Sequence, residues 1–224
     1  ILGIYGYAVF GLGILWWLGR LETFLLSIPF LIYGLHKIVR VIRGFRDIRV
    51  INIIQKDKLV LGILGLLGIQ IIINFLGAIS PELSFDALWY HLTPAKLYVQ
   101  NQQIFYIPGW LMWPANLLGL TEMYYSAALL FSNEILAKLI HFTFGLLGLA
   151  ALFGLLRRYL SLRFTFLGLL TFYTMLIVGW QSTTAYVDLA RTFFEILTLD
   201  LFLKWHETKK ENYRKFKGMA KIAG

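Results

Sequence analysis

Long apolar runs separated by short charged segments extend over most of the chain. A hydrocarbon core about 30 Å thick is crossed by about 20 apolar residues of α-helix. Runs of about this length predict membrane spans at residues 1–18, 21–39, 59–79, 135–156, 164–180 and 189–205. Run 21–39 is short and contains Pro29, which leaves open a kinked span or one arm of a re-entrant hairpin. The pattern predicts an all-α fold, a polytopic transmembrane helical bundle of about six spans.

Glycines recur every three residues along run 59–79, at Gly62, Gly65 and Gly68. Small residues at such positions let the backbone of another helix approach closely in a membrane. We therefore expect a second helix to pack on this face.

Lysine and arginine are concentrated between the apolar runs, in segments 37–58, 157–163 and 204–221. Loops rich in these residues stay on the cytoplasmic side of a membrane. Six spans with the N-terminus inside place all three segments in the cytoplasm, and the base-poor loop 80–133 and turn 181–188 outside. Two regions follow: an N-terminal two-helix hairpin with a basic cytoplasmic loop (1–58) and a transmembrane core (59–224).

The composition agrees with a membrane protein, because 58% of the 224 residues are hydrophobic and 15% are charged, against about 45–50% and 25% in soluble domains. The formal net charge is +9, but its confinement to the loops argues against nucleic acid as a partner. The sequence contains no cysteine, which excludes disulfides and cysteine-bound metals. Since it starts at Ile1 and stops in a Gly- and Ala-rich segment, we expect an N-terminal piece of a longer protein.

The loop 80–133 carries the residues best suited to chemistry. Its acids include Asp86 and Glu122, its one base is Lys96, and it is rich in Trp and Tyr. Signals for helix starts occur at Ser84, at Thr93 with Pro94, and at Thr121. They predict short amphipathic helices that lie at the headgroup level. Asp86 and Tyr90 are four residues apart, so they share one face of the first helix.

Three motifs between residues 59 and 205 are similar to those of a known family. They comprise Asp86, Leu88, Tyr90, His91, Leu92, Pro94, Lys96 and Tyr98; then Glu122 and Met123; then Ala185, Tyr186, Asp188 and Leu189. On these residues the chain resembles membrane glycosyltransferases of the GT-C fold. Specifically, it is similar to bacterial members akin to the aminoarabinose transferases and protein O-mannosyltransferases.

The resemblance implies an enzyme of the bacterial cytoplasmic (inner) membrane that takes a sugar from a polyprenyl-phosphate donor. Transfer occurs at the extracytoplasmic face and inverts the anomeric centre. Asp86 is then the general base that accepts the proton of the acceptor, and Lys96 or Arg191 stabilises the departing lipid phosphate. The remaining substrate-binding candidates are Tyr90, His91, Glu122 and Asp188.

The same resemblance names the partners. They are the lipid bilayer, the lipid-linked sugar, and an acceptor that is a lipid, a glycan or a protein. No cofactor is implied besides the polyprenyl-phosphate-linked sugar, which serves as the donor substrate. A divalent metal is left open, and no metal-ligand motif in the sequence indicates one.

Each candidate also has a purely structural interpretation. Asp86 and Glu122 fit as acids in the first turn of a surface helix, where the helix dipole favours negative charge. His91 fits as a hydrogen-bonding residue at the membrane interface. Asp188 and Arg191 fit as members of ion pairs within the last span. Asp188 then pairs with Arg191, three residues further along, and Arg191 pairs with Glu195, four residues further along.

Two other functions stay open. A transporter or flippase of lipid-linked sugars typically has interrupted helices and internal repeats, whereas here the two halves show no repeat and the polar residues cluster at span ends. A non-catalytic scaffold that packs partner subunits on its glycine faces predicts that Asp86 and Glu122 point away from any cavity.

Two polar residues inside predicted spans require partners, because intramembrane ionisable groups face the protein interior or water. We expect His141 to pair with a neighbouring helix. Asp200 requires a partner that the sequence does not identify.

Overall fold

The computed structural model describes residues 1–44, 57–116 and 119–222, with backbone but not side chains for 38–44, 111 and 210–222. Every regular element in these residues is helical and none is a strand, which confirms the all-α prediction. The helices are α1 (Leu2–Ile14), α2 (Arg20–Gly44), α3 (Lys58–Ala78), α4 (Leu92–Asn101), α5 (Leu120–Phe131), α6 (Glu134–Leu156), α7 (Leu162–Tyr173), α8 (Leu176–Gln181) and α9 (Asp188–Ile222). Most of the predicted basic loop 37–58 lies outside the described residues.

Two helices, α3 and α6, are long and apolar enough to cross a membrane. Asp57 caps the start of α3 and Asn133 caps the start of α6, each through a side-chain oxygen that accepts backbone N–H groups. Both helices begin one residue before the predicted runs 59–79 and 135–156. By length and composition, the described part of the chain supports these two spans, and the six-span arrangement remains a prediction.

The helices near the N-terminus differ from the predicted runs 1–18 and 21–39. α1 has 13 residues, or about 20 Å at 1.5 Å per residue, and the chain then turns through Trp16, whose φ is +64°. The helix ends at Ile14, four residues before the end of the predicted run. α2 is a single helix of 25 residues that continues through Pro29.

The predicted run 164–180 is divided into α7 and α8 by Thr174 and Met175. At the end of α7, the backbone N–H and the hydroxyl of Thr174 both donate to the Leu170 carbonyl, at 2.9 and 2.7 Å. Met175 has an extended backbone, with ψ of 131°. The run is uniformly apolar, so hydropathy does not reveal this break.

The loop 80–133 contains the short helices predicted for it. α4 begins at Leu92 and α5 at Leu120, each one residue before the signals at Thr93 and Thr121. The first predicted helix is instead a π-helical turn, Ala87–His91. A 3₁₀ turn, Trp110–Asn116, lies between α4 and α5.

Aromatic packing in the interior places α5, α6 and α9 side by side. The Phe144 ring of α6 lies 5.4 Å from that of Tyr124 and 6.0 Å from those of Phe193 and Phe194. α6 packs along α9, α3 along α7, and α5 lies against α1, α4 and α6. This arrangement brings the starts of α5 and α9 next to the segment that follows α3.

The glycine face of α3 does not have the expected neighbour. Gly62, Gly65 and Gly68 face open space in the described structure, so no helix of the described residues packs on them. A close approach occurs instead near the end of α3, where a Cβ on Gly77 would collide with the Thr183 side chain.

Charged residues near the start of α3, between α6 and α7 and in the middle of α9 form ion pairs at the end of the molecule remote from loop 80–133. Arg158 pairs with Asp200 at 2.9 Å, Lys204 also pairs with Asp200, and Arg163 pairs with Asp57. Asp200 therefore has the partners that the sequence did not identify. The start of α3, the α6–α7 connection and the middle of α9 are close together here, which is compatible with the common cytoplasmic side inferred from charge.

Candidate functional site

A buried carboxylate organises the segment that follows α3. Glu82 Oε1 accepts hydrogen bonds from the backbone N–H groups of Leu83 and Ser84, both at 2.9 Å. Its Oε2 accepts one from the backbone N–H of Ala185 at 2.7 Å. Glu82 thus joins the loop after α3 to the segment before α9, across a large separation in sequence.

Lys138 of α6 supports the same segment. Its side chain is buried, and Nζ donates to the carbonyls of Ser80 at 2.6 Å and Pro81 at 3.2 Å. The ammonium also lies close enough to Glu82 for the two charges to interact. A buried ammonium is tolerated here because carbonyl oxygens and a carboxylate surround it.

His141, also buried in α6, holds the connection between α8 and α9. Its Nδ1 lies 3.0 Å from the Gln181 carbonyl oxygen and 2.8 Å from that of Thr184. Its Nε2 accepts the backbone N–H of Leu189 at 3.1 Å. Two acceptors at Nδ1 and one donor at Nε2 require the neutral tautomer with the proton on Nδ1. The expected pairing of His141 with a neighbouring helix is confirmed.

The π-helical turn presents successive side chains to one cavity of about 680 Å³. Such turns are rare and occur frequently at functional sites. The turn closes with a hydrogen bond from the Leu92 N–H to the Ala87 carbonyl. From this part of the chain, the side chains that line the cavity are Asp86, Trp89, Tyr90 and His91.

The phenols of Tyr90 and Tyr186 lie close enough to the Asp86 carboxylate to interact with it. Burial, together with the hydrogen bond and negative charge of Asp86, raises the pKa of Tyr90 to about 12. Burial, followed by the charge and hydrogen bond of Asp86, also raises the pKa of Tyr186. Both phenols therefore stay protonated at neutral pH and can donate hydrogen bonds to the carboxylate.

His91 joins the π-helical turn to α5. Its Nδ1 lies 2.8 Å from Glu122 Oε1, and its ring packs on that of Tyr186 at 5.5 Å. The second oxygen of Glu122 is buried and has no hydrogen-bond partner among the described residues. Gly119 makes this placement possible, because a Cβ at that position would collide with the Glu122 carboxylate.

The remaining walls of the cavity come from the 3₁₀ turn, α5 and α9. They include Trp113, Phe194 and Arg191. Arg191 is exposed and pairs with Glu195 at 2.7 Å. The volume and the mixture of aromatic surface with a few convergent polar groups are typical of a site for a small molecule.

The structure brings together most of the site residues predicted from sequence. Those that line the cavity are Asp86, Tyr90, His91, Glu122 and Arg191. Asp188 begins α9 beside it, and its charge contributes to the raised pKa of both phenols that contact Asp86. Lys96 is exposed on α4 and is not part of the cavity wall.

Two functional side chains were not among the predicted site residues. Tyr186 belongs to the third motif, but its contact with Asp86 is made across the fold. Glu82 is the first acid after an apolar run, a position at which sequence alone does not separate a surface acid from a buried one. Within the described residues, no three His, Asp or Glu side chains are grouped to hold a metal ion.

The chain was compared with family models, curated proteins and solved structures. No family model, curated protein or solved structure matches it.

Proposed function

We propose that the chain forms part of a membrane glycosyltransferase that moves a sugar from a polyprenyl-phosphate donor to an acceptor at the extracytoplasmic face, with inversion. The observation that carries the proposal is the Asp86 carboxylate at the wall of the cavity, with the phenols of Tyr90 and Tyr186 close to it. The His91–Glu122 pair, on the same wall, adds a second carboxylate at this site.

In this reaction a hydroxyl or amine of the acceptor lies beside Asp86 and attacks C1 of the donor sugar. The bond between C1 and the phosphate oxygen breaks, and its electron pair leaves with the lipid phosphate. The acceptor's proton passes to Asp86. An aspartate is ordinarily a weak base, so proton transfer accompanies the attack and does not precede it.

Arg191 is the better placed of the two bases proposed to bind the leaving phosphate. It lines the cavity, whereas Lys96 does not. Its present partner is the exposed carboxylate of Glu195, so binding of a phosphate exchanges one anion for another. A bidentate contact between guanidinium and phosphate is among the stronger charge-assisted pairs.

The membrane arrangement proposed with this reaction has six spans, an inside N-terminus and the loop 80–133 outside. The cavity lies at the end of the molecule that carries this loop, and the Arg158–Asp200 pair lies at the other. Exposed aromatic residues of the loop, such as Tyr106 and Trp110, suit the headgroup layer.

One observation favours a transporter as the second candidate. The break between α7 and α8 at Thr174 and Met175 is of the kind found in transporter helices. The scaffold interpretation has less support, because Asp86 and Glu122 line the cavity.

The experiment that separates these functions uses membranes that contain the protein and polyprenyl-phosphate donors carrying a panel of radiolabelled sugars. An enzyme releases lipid phosphate and passes the label to an acceptor. A transporter moves the intact donor between leaflets without cleavage. Movement of intact donor with no cleavage for any sugar contradicts the glycosyltransferase proposal.

A further inference from the structure

The chain from the end of α3 into the π-helical turn exposes its apolar side chains and turns its acids inward. Leu83 is 87% exposed, Phe85 is 73% exposed, and Leu88 in the turn is 47% exposed. The two acids point elsewhere, since Glu82 is buried and Asp86 lines the cavity. Segments in contact with water have the opposite arrangement, so this pattern indicates an apolar surrounding.

The exposed apolar surface follows directly on that of α3, one of the two helices long and apolar enough to cross a membrane. Ile72 and Leu76 are exposed near the end of this helix, and Ile79 is exposed immediately after it. Within residues 59–90, all of which the structure describes, no charged side chain is exposed. The surface suited to lipid therefore does not stop where α3 ends.

Two buried charges provide hydrogen bonds to the backbone of the irregular segment after α3. Glu82 accepts the N–H groups of the two residues that follow it, both at 2.9 Å. Lys138 donates to the carbonyls of the two residues that precede Glu82, at 2.6 and 3.2 Å. In a solvated loop, water serves such groups. In hydrocarbon they must be paired within the protein, which gives a reason for burying both charges here.

We propose that the surface formed by Leu83, Phe85 and Leu88 lies against lipid acyl chains, below the headgroups of the leaflet in which α3 ends. The chain then leaves the hydrocarbon after the π-helical turn and not at the end of α3. Asp86 is held beside the acyl layer with its carboxylate turned into the protein. This inference rests on the proposed membrane placement of α3 and is independent of the proposed glycosyl transfer.

The test uses spin labels on single cysteines, since the sequence contains none of its own. Leu83→Cys and Phe85→Cys are labelled in protein reconstituted into liposomes of phosphatidylethanolamine and phosphatidylglycerol. Electron paramagnetic resonance then measures the collisions of each label with oxygen, which concentrates among acyl chains, and with a water-soluble nickel chelate. Ile69→Cys, exposed in the middle of α3, is the lipid control. Gln100→Cys, exposed on α4, is the water control.

We expect the ratio of oxygen to nickel collisions at Leu83 and Phe85 to be close to that at Ile69 and several-fold above that at Gln100. A ratio like that of Gln100 places the segment in water and overturns the proposal. Shielding from both reagents places it against protein, which also overturns it. If Ile69 itself lacks the lipid ratio, the membrane placement of α3 fails together with the proposal.

Thermal unfolding in the same liposomes provides a second measurement. Leu83→Asp should lower Tm by several degrees, because a carboxylate is unfavourable among acyl chains. Gln100→Asp should leave Tm nearly unchanged, as is usual for surface substitutions in water. Equal Tm values for the two variants contradict the contact of Leu83 with lipid.

Discussion

Glu82 Oε2 accepts a hydrogen bond from the backbone N–H of Ala185 at 2.7 Å, although 103 residues separate them in sequence. The bond places Tyr186, the next residue, beside the segment that carries Asp86. The two phenols around Asp86 therefore come from distant parts of the chain, and Glu82 is the buried link between them. Glu82 is not among the residues that line the cavity.

Replacing Glu82 with Gln should loosen this link. The carboxylate accepts three backbone N–H groups through its two oxygens, and the amide nitrogen of Gln, a donor, must face at least one of them. We expect a loss of about 1–3 kcal/mol in the free energy of unfolding, seen as a Tm lower by about 2–10 °C.

The matched control for this change is Glu22→Gln, since Glu22 is an exposed acid at the start of α2. Its Tm should stay within about 1–2 °C of the wild type, because surface substitutions change stability little. Equal effects of the two substitutions contradict the role assigned to Glu82.

The raised pKa of Tyr90, about 12, predicts a dependence of stability on alkaline pH. Its pKa in the unfolded chain is about 10, so its contribution to stability is fully present below about pH 10 and is lost as pH rises through about 12. Phenolate absorbance during a pH titration, compared between wild type and Tyr90→Phe, measures this ionisation.

The Asp86→Asn variant tests the cause of the shift. Removing the negative charge should lower the pKa of Tyr90 towards its ordinary value and leave the part that is due to burial. An unchanged phenol titration in this variant shows that Asp86 does not interact with Tyr90.

Gly119→Ala should disturb the His91–Glu122 pair, because the added Cβ collides with the Glu122 carboxylate. We expect a loss of about 1–3 kcal/mol in stability, typical of overpacking, and displacement of Glu122 from His91. Gly148→Ala in α6 is the control. Its Cβ enters open space, and alanine is favoured over glycine inside a helix by about 0.8–1 kcal/mol. If Gly119→Ala is as stable as Gly148→Ala, this result contradicts the close packing of the Glu122 carboxylate against Gly119.

The apolar pattern located α3 and α6 to within one residue because the capping residues Asp57 and Asn133 lie where long, mainly apolar runs begin. It missed the division of run 164–180 at Thr174 and Met175, because the run is apolar on both sides of the break. It also overestimated α1, which stops where the backbone turns through Trp16.

The site was predicted in part for a similar reason. The spacing of Asp86 and Tyr90 predicted their shared face, since both lie on one short segment. The contact of Asp86 with Tyr186, the burial of Glu82 and the exposure of Lys96 depend on how distant segments pack. Composition and spacing carry no information on which distant segments pack together.

The absence of cysteine from the sequence makes the proposed orientation easy to test with single cysteines. We expect Trp110→Cys, at an exposed position of the outer loop, to react with a membrane-impermeant maleimide in intact cells. Tyr159→Cys, exposed near the opposite end, should react only after permeabilisation. Labelling of Tyr159→Cys but not of Trp110→Cys in intact cells contradicts the orientation. Labelling of both variants in intact cells contradicts their placement on opposite sides of the membrane.

The most direct test of the role of Asp86 is the rate of sugar transfer from polyprenyl phosphate in membranes that contain the protein, with wild type, Asp86→Asn and Glu22→Gln at equal abundance. Because a general base typically contributes about 10²–10⁴-fold, Asp86→Asn should slow transfer by this factor while Glu22→Gln transfers at the wild-type rate. Equal rates for all three contradict the assignment of Asp86 as the base.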